Sequence, residues 1–295
     1  MRVGFIGVGG MGRGMAGRLL DAGHALTVIA HRNRAPVEEL TQRGAREAAT
    51  YRDLAEHSEA IVLCVSNSDV VERVVAELEP HLSEGVLVID TGTSRPEDCA
   101  RLAERLAARG AVFIEAPVTG GVKQAAEGSL GALVGASAAG FEAARPILEA
   151  MCQTVHFFGP PGAGNTAKLL NNFMVFGIAA LVFETFERAE AAGVDWRKLY
   201  EVAICGSGDS GVLRRIVGSA IEGDFGGYVF SVEGALKDLR YFDAVARETG
   251  GPSDLSSAVR AVFDSAAADG HGARRLSELL SPELRRRADA PSEQG

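Results

Sequence analysis

The chain has 295 residues, of which 46% are hydrophobic and 23% are charged, and its net charge is -9. This composition excludes an intrinsically disordered chain, and the length suggests about two domains. The acidic balance argues against nucleic acid and anionic membranes as partners, because both select basic surfaces.

A β-rich run over residues 2–8 predicts the first strand, and a helical pattern over residues 11–22 follows it. Between them lies a G-x-G-x-x-G fingerprint, formed by Gly7, Val8, Gly9, Gly10, Met11 and Gly12. The first glycine permits a tight turn, the second lets the backbone approach a pyrophosphate, and the third allows close packing of helix on strand. Because a helix N-terminus attracts phosphate, this turn predicts a dinucleotide-binding site of the Rossmann type.

The second predicted strand, residues 25–30, ends at the position that distinguishes the two nicotinamide dinucleotides. An NAD-binding domain of this type places an Asp or Glu there to bind the ribose 2′-hydroxyl. This chain instead continues with His31, Arg32, Asn33 and Arg34. Guanidinium groups suit a 2′-phosphate, because they bind it through charge-assisted hydrogen bonds. The segment therefore favours NADP as the cofactor, and NAD remains possible if both arginines are ordinary loop residues.

Helical patterns separate five further β-rich runs, which lie at residues 60–65, 86–90, 112–115, 130–134 and 154–158. Nearly continuous apolar strands that alternate with helices are typical of a parallel sheet covered on both faces. The sequence therefore predicts an α/β fold, with a Rossmann-type NAD(P)-binding domain over residues 1–160.

The alternation ends at residues 159–162, where Gly-Pro-Pro-Gly predicts a break between domains. Only helical patterns follow, at residues 165–192, 195–204, 210–221, 231–248 and 253–268. The first of these is apolar around its whole circumference, which predicts a buried helix. We expect an all-α substrate and dimerisation domain over residues 161–287, with this helix as a spine shared in a homodimer or homotetramer. The polar residues 288–295 predict a disordered tail.

Other features of the chain bear on location and on metal binding. The apolar run at residues 173–183 is too short to cross a bilayer, and no signal-peptide pattern is present. The six histidines show no zinc-ligand spacing. The cysteines are too widely spaced for a metal pair or a redox motif, at Cys64, Cys99, Cys152 and Cys205. We therefore expect a cytoplasmic protein without a metal site.

Four further segments form recognisable motifs. They read DTGTSRP at residues 90–96, EAPVTGG at 115–121, GAGNTAKLLNN at 162–172 and KDL at 237–239. In order and spacing they resemble motifs of the β-hydroxyacid dehydrogenase family, namely D-x-S-T-x-x-P, D-A-P-V-S-G-G, G-x-G-x-x-x-K-x-x-N-N and K-D-L. That family includes 3-hydroxyisobutyrate dehydrogenase and tartronate semialdehyde reductase. With the glycine fingerprint, the resemblance covers nearly the whole chain.

The chain departs from the family pattern at four points. Thr119 replaces the serine of the second motif, Glu115 replaces its leading Asp, and Gly92 replaces a serine of the first motif. Ser210 is followed by Gly211, where the family often has Ser-Trp. The last three departures bear on the identity of the substrate more than on the type of reaction.

The resemblance implies an NAD(P)-dependent oxidoreductase that interconverts a small β-hydroxyacid and its oxo acid or semialdehyde by hydride transfer. It implies that Lys168 donates or accepts the proton at the substrate oxygen. Asn172 is four residues further along the same helix face and can align the hydroxyl or carboxylate of the substrate. Thr119, Gly120 and Gly121 follow a predicted strand, where the backbone amides of a glycine loop can hold a carboxylate.

Other residues are candidates for contact with the cofactor. The resemblance implies that Lys237 reaches the cofactor side of the cleft. Thr93 follows a predicted strand and is expected beside the nicotinamide ribose, and Val65 and Ser66 are expected beside the adenosine. Two other functions stay open: an imine reductase on the same scaffold, and a non-catalytic dinucleotide-binding module for protein interaction. Both would be expected to lack the helix lysine, so Lys168 counts against them.

Overall fold

The computed structural model describes residues 1–31, 33–251 and 253–284, and the chain divides into two units after Lys168. The strands of the first unit are β1 (Arg2–Ile6), β2 (Ala25–Ile29), β3 (Arg46–Ala48), β4 (Ala60–Leu63), β5 (Leu87–Asp90), β6 (Val112–Glu115), β7 (Val118–Thr119), β8 (Leu130–Gly135) and β9 (Cys152–Gly159). They form a single sheet in the order β3-β2-β1-β4-β5-β6-β8-β7, with β9 paired to β8.

The sheet is parallel from β3 across to β6. β8 then runs antiparallel to β6 and β7 and parallel to β9. The predicted α/β fold is confirmed, and the short strands β3 and β7 add to the predicted set. Chain order proceeds outward from β1 in one direction and from β4 in the other. Such a switch point opens a crevice at the carboxyl edge of the strands, where ligands of this fold bind.

Helices pack on both faces of this sheet. They are α1 (Gly10–Asp21), α2 (Ala35–Gln42), α3 (Tyr51–Glu56), α4 (Ser68–Leu78), α5 (Pro96–Ala107), α6 (Val122–Glu127) and α7 (Ala138–Met151). One apolar cluster includes Met15 and Leu19 of α1 with Ile147 of α7. Val75 of α4 and Leu102 of α5 belong to a second cluster. Because helices cover both faces, β4 and β5 are buried along their whole length.

The next helix, α8 (Ala163–Ala191), is continuous across the division between the units. Its first turn packs closely on the sheet, since a Cβ at Gly164 would lie 2.5 Å from the carbonyl oxygen of Leu133. The helix therefore begins within the first unit, which extends to Lys168, and the domain boundary between residues 160 and 161 stays a prediction. By length and composition alone α8 could cross a membrane, a test that core helices of soluble proteins also pass.

The second unit is helical over its described residues, as expected. Besides the rest of α8 it contains α9 (Trp196–Cys205), α10 (Gly211–Ala220), α11 (Val232–Glu248), α12 (Asp254–Ala266) and short helical turns at Ala267–His271 and Leu276–Leu280. Its core joins Phe176 and Phe186 of α8 to Ile216, Leu236 and Phe263 of the later helices. The predicted tail, residues 288–295, lies outside the described residues.

Candidate active site

A cavity of about 630 Å³ opens in the first unit, at the carboxyl ends of β1, β2 and β4. The sequence-predicted residues that line it are Gly7, Val8, Gly9, His31, Asn33, Val65 and Ser66. They come from three separate segments, which the parallel strands bring to one edge of the sheet. The lining thus combines the glycine turn with the segment expected at the ribose 2′ position and the loop expected beside the adenosine.

The glycines of the turn have distinct geometric roles. Gly7 has a φ of +99°, and a Cβ there would lie 2.2 Å from the carbonyl oxygen of Cys64. A Cβ at Gly12 would lie 1.9 Å from the Gly7 carbonyl oxygen, so only glycine allows α1 to pack this closely. At Gly9, by contrast, no atom lies within 4 Å of an added Cβ. Open space beside the N-terminus of α1 therefore fits a diphosphate.

The other fingerprint residues, Gly10, Met11 and Gly12, belong to α1, and the side chain of Met11 packs against the core. Gly9 is the N-cap residue of α1 and makes no side-chain cap. The first-turn amides are therefore satisfied by neither a serine nor an aspartate at the cap position. Such an uncapped N-terminus is suited to bind the phosphates of a dinucleotide.

The segment after β2 bears on the choice between NAD and NADP. Asn33 accepts a hydrogen bond from the Ala35 amide at 3.2 Å. Arg34 is exposed, and its guanidinium pairs with Glu47 at 3.0 Å and Glu38 at 3.7 Å. Arg32 lies outside the described residues. Of the two predicted phosphate-binding arginines, the structure therefore describes one, which is not among the residues that line the cavity and which pairs with two carboxylates.

The lining of the cavity also includes residues that were not predicted from the sequence. Tyr51 of α3 and Arg73 and Glu77 of α4 line it, together with apolar Val70 and Val74. Burial raises the pKa of the Tyr51 phenol, the Glu77 carboxylate raises it further, and Arg73 opposes this shift. A phenol, a guanidinium and a carboxylate around an apolar slot could recognise the edges of a purine. The four-residue spacing of Arg73 and Glu77, directly after a predicted site loop, was the available signal.

The loop after β5 is shaped by the buried Asp90. One of its carboxylate oxygens accepts from the Gly92 amide at 2.9 Å, and the other accepts from the Ser94 hydroxyl at 2.7 Å. Thr93 lies between these two residues and is half-buried. A Cβ at Gly92 would lie 3.1 Å from the Val65 carbonyl oxygen, which leaves little room for the serine of the family motif.

Lys168 lies near the start of α8 and is buried, with 7% of its surface exposed. The carboxylate of Glu115, at the end of β6, holds this helix start. It accepts hydrogen bonds from the amides of Gly162 and Gly164 and from the side chain of Asn165, at 2.7, 2.8 and 2.7 Å. Burial raises the pKa of the Glu115 carboxyl, although hydrogen bonds from Asn165, Cys99 and Gly164 oppose the shift. The lysine thus stands on a helix turn that is anchored to the sheet.

The predicted substrate loop follows β6. Thr119 is half-buried, and its hydroxyl donates to the Gly131 carbonyl over a long 3.4 Å. Gly120 has a φ of +114°, which only glycine adopts readily. The amide of Gly121 donates to the side chain of Gln124 at 3.0 Å. A substrate carboxylate that uses this amide must therefore replace the Gln124 oxygen.

In the second unit, the K-D-L motif meets the second asparagine of the helix motif. The amide of Asn172 donates to a carboxylate oxygen of Asp238 at 2.6 Å, and Lys237 lies 2.9 Å from the other oxygen. Asp238 is almost fully buried. It therefore orients both Asn172 and Lys237, and its bond to Asn172 joins positions that are far apart in the sequence.

Comparison with known proteins covers both parts of the chain. A family model described as the NAD binding domain of 6-phosphogluconate dehydrogenase matches residues 2–159. A second, described as NAD-binding of NADP-dependent 3-hydroxyisobutyrate dehydrogenase, matches residues 162–282.

Two curated relatives match over most of their length. The mitochondrial 3-hydroxyisobutyrate dehydrogenase of Drosophila melanogaster is 30% identical over 283 residues, which are 93% of this chain and 87% of that protein. The 3-sulfolactaldehyde reductase of Escherichia coli is 32% identical over 283 residues, 94% of each chain.

Solved structures share the fold. A 3-hydroxyisobutyrate dehydrogenase from Salmonella typhimurium superposes with a TM-score of 0.86 at 28% identity, covering 95% of this chain and 99% of that one. An imine reductase from Streptomyces aurantiacus superposes with a TM-score of 0.61 at 21% identity, covering 95% and 98%, and this shows the fold alone.

Proposed function

The chain belongs to the β-hydroxyacid dehydrogenase family and is an NAD(P)-dependent hydroxyacid dehydrogenase, and from this premise we propose how it works and on what. Its substrate is a small β-hydroxyacid, which it interconverts with the oxo acid or semialdehyde. Lys168 exchanges the proton at the substrate oxygen. The observation that carries this proposal is a buried lysine on a helix turn anchored to the sheet by Glu115.

The chemistry divides between the cofactor and the chain. When bound, the dinucleotide supplies a hydride to the substrate carbonyl carbon, or takes one from the alcohol. In reduction, negative charge develops on the substrate oxygen, and the Lys168 ammonium donates a proton to it. In oxidation, the neutral Lys168 amine accepts that proton. Asn172, one turn further along α8, aligns the substrate with an amide that Asp238 holds in place.

The substrate class follows from the loop after β6. Residues 119–121 offer a hydroxyl and backbone amides, a donor set that suits a carboxylate. The extra methyl of Thr119, relative to the family's serine, narrows the pocket and favours a compact substrate. The relatives named for 3-hydroxyisobutyrate and 3-sulfolactaldehyde are consistent with a short acid that carries an oxygen on its third carbon.

We propose NADP as the preferred cofactor and NAD as the alternative. The segment after β2 carries arginines and no carboxylate. Arg34 already pairs with Glu47, so binding a 2′-phosphate requires the guanidinium to exchange that partner or to share it. The relative affinity for the two dinucleotides decides this point.

We also propose a homodimer or homotetramer. Leu170, Met174 and Leu181 of α8 are 51%, 59% and 68% exposed, and a second copy would cover them. Four unpaired cysteines fit the reducing cytoplasm that we propose as the location. Light scattering of the purified protein, with Leu181→Glu as the disrupting variant, tests the assembly; a wild-type monomer would contradict it.

The function is tested by a screen of three- and four-carbon hydroxyacids and semialdehydes with NADPH and NADH, followed by absorbance of the reduced nicotinamide. Lys168→Ala should lower turnover of the best substrate by at least about 10²-fold and leave NADPH binding intact. Lys168→Arg should not restore it, because a guanidinium stays protonated. Lys198→Ala, at an exposed lysine of α9, is the matched control. Near-normal turnover of Lys168→Ala would refute the role of the lysine.

A further inference from the structure

The carboxylate of Glu115 accepts three hydrogen bonds from the start of one helix, α8. Three donors come from residues 162–165, the Cys99 thiol of α5 is a further partner, and the Glu115 side chain is fully buried. Its negative charge therefore lies at the positive end of the α8 dipole, where it is electrostatically favourable. The bonds also join the end of β6 to the helix that carries Lys168.

Asn165 extends this connection to a third element. While its amide nitrogen donates to Glu115, its amide oxygen accepts from the backbone amide of Ser94 at 2.8 Å. Ser94 is itself held by Asp90, in the loop that carries Thr93. Asn165 and Lys168 are three residues apart, so they share one face of α8. The network thus ties together the two loops that follow β5 and β6 and the turn below the lysine.

The packing around Glu115 leaves no freedom for this arrangement to drift. A Cβ at Gly135 would lie 2.0 Å from a Glu115 carboxylate oxygen, and a Cβ at Gly164 would lie 2.7 Å from the Gly135 amide nitrogen. Burying a carboxylate costs several kcal/mol, and apolar residues of similar volume often stabilise a fold equally well. The stability of the fold is therefore a weak explanation for a buried carboxylate at this position. A defined geometry of the helix start explains the carboxylate better.

We propose that Glu115 and Asn165 are positioning residues for the reaction: they set the place of the Lys168 amine relative to the loops after β5 and β6, without touching the substrate. The inference rests on the proposed role of Lys168. It assigns a function to the leading acidic residue of the 115–121 motif that is separate from substrate binding.

An exchange of the two side chains tests this directly. Glu115→Gln keeps an acceptor for the glycine amides but turns an NH₂ group toward the NH₂ group of Asn165. Asn165→Asp places two carboxylates against each other. In the double variant the new amide donates to the new carboxylate, whose other oxygen still accepts from Ser94. The hydrogen bonds that join positions 115 and 165 to each other, to the glycine amides and to Ser94 are then restored, with the charge moved from position 115 to position 165; the donation from Asn165 to the Cys99 sulfur at 3.4 Å is lost.

We expect Glu115→Gln to lower kcat by about 10- to 100-fold, with a smaller change in KM and an unchanged Kd for NADPH. The double variant should regain at least about tenfold of the lost kcat, although the residue at each position differs from the wild type. Glu149→Gln, at an exposed glutamate of α7, should change nothing. Rescue of kcat by the exchange is a readout that a general loss of stability does not produce.

Two results would overturn the inference: a folded Glu115→Gln with wild-type kcat, or a folded double variant no more active than Glu115→Gln. If Glu115→Gln fails to fold, the kcat of the double variant relative to the wild type tests the positioning role alone. If no member of the set folds, the network is a requirement of folding and the inference is refuted. Lys168→Ala is measured alongside. A normal kcat of Lys168→Ala refutes the proposed function. If Lys168→Ala loses its activity while Glu115→Gln keeps the wild-type kcat, only the positioning role is refuted.

Discussion

An added methyl group should affect different properties at Gly9 and Gly12, three residues apart in the same turn: cofactor binding at Gly9 and stability at Gly12. At Gly12 the new Cβ would lie 1.9 Å from the Gly7 carbonyl oxygen and 3.0 Å from the Phe5 ring. At Gly9 it would meet no atom within 4 Å. Gly12→Ala should therefore damage the fold, and Gly9→Ala should damage only what the fold binds.

The magnitudes follow from these contacts. Overpacking costs about 1–3 kcal/mol, and Gly12→Ala should reach the upper end because a backbone atom obstructs the methyl group. Gly9 has a φ of -75°, which alanine accepts, so Gly9→Ala should leave stability unchanged or raise it by about 0.4–1 kcal/mol. A methyl group between backbone and diphosphate should cost one charge-assisted hydrogen bond, about 1.5–3 kcal/mol. At 1.4 kcal/mol for each factor of ten, the Kd for NADPH rises roughly 10- to 150-fold.

Two measurements on each variant separate these effects. Urea unfolding without cofactor gives the free energy of unfolding, and titration of NADPH fluorescence gives the Kd. Gly177→Ala, in the interior of α8 with 3.9 Å to the nearest atom, controls for the methyl group itself. The reasoning is refuted if Gly9→Ala binds NADPH like the wild type, or if Gly12→Ala unfolds at the wild-type urea concentration.

The remaining predictions concern single contacts elsewhere in the molecule. Thr119→Ala should raise KM for the hydroxyacid and leave the Kd for NADPH unchanged; if KM stays constant for every substrate, Thr119 is a bystander. Arg34→Ala should raise KM for NADPH by about tenfold and KM for NADH much less, and equal changes would contradict the NADP assignment. Asn172→Asp sets a second carboxylate against buried Asp238, so urea unfolding near pH 8 should show a loss of about 3 kcal/mol; a variant as stable as the wild type would argue against charge repulsion. Because burial raises the pKa of the Glu115 carboxyl, the folded state binds this proton more tightly than the unfolded state does. The unfolding free energy of the wild type should therefore fall relative to Glu115→Gln as pH rises from about 4, and parallel curves would contradict this.

The fold could be predicted for those segments whose local sequence pattern matches their burial in the folded protein. β4 and β5 are buried on both faces, so their apolar runs predicted a covered parallel sheet. β3 (Arg46–Ala48) was not predicted, because two of its three residues are charged or exposed and its pairing with β2 alone makes it a strand. The direction of β8 was equally hidden, because its run LGALVG is as continuously apolar as the runs of the parallel strands.

The residues of the candidate site also fall into those that could be predicted from the sequence and those that could not. Fingerprint and motif residues could be found because their chemistry lies within a few positions of sequence. The partners that orient them could not, since Glu115 and Asn165 are 50 positions apart and Asn172 and Asp238 are 66 apart. Tyr51 gave no signal at all, because only the packing of α3 beside α4 brings it to the cavity.

The distant cap of α8 has a consequence for the order in which the chain folds. α10 carries its own start signal, because the Ser210 hydroxyl accepts from the Leu213 amide within the same turn. The Gly162 amide at the start of α8 instead donates to the Glu115 carboxylate, 47 positions earlier in the chain. The segment between these two residues must therefore close into a loop before this cap can form. In pulse-labelled refolding, the amides of Gly162 and Gly164 should become protected only after β6 has docked, later than the amide of Leu213. The start of the helix that carries the lysine would then form later than the start of α10.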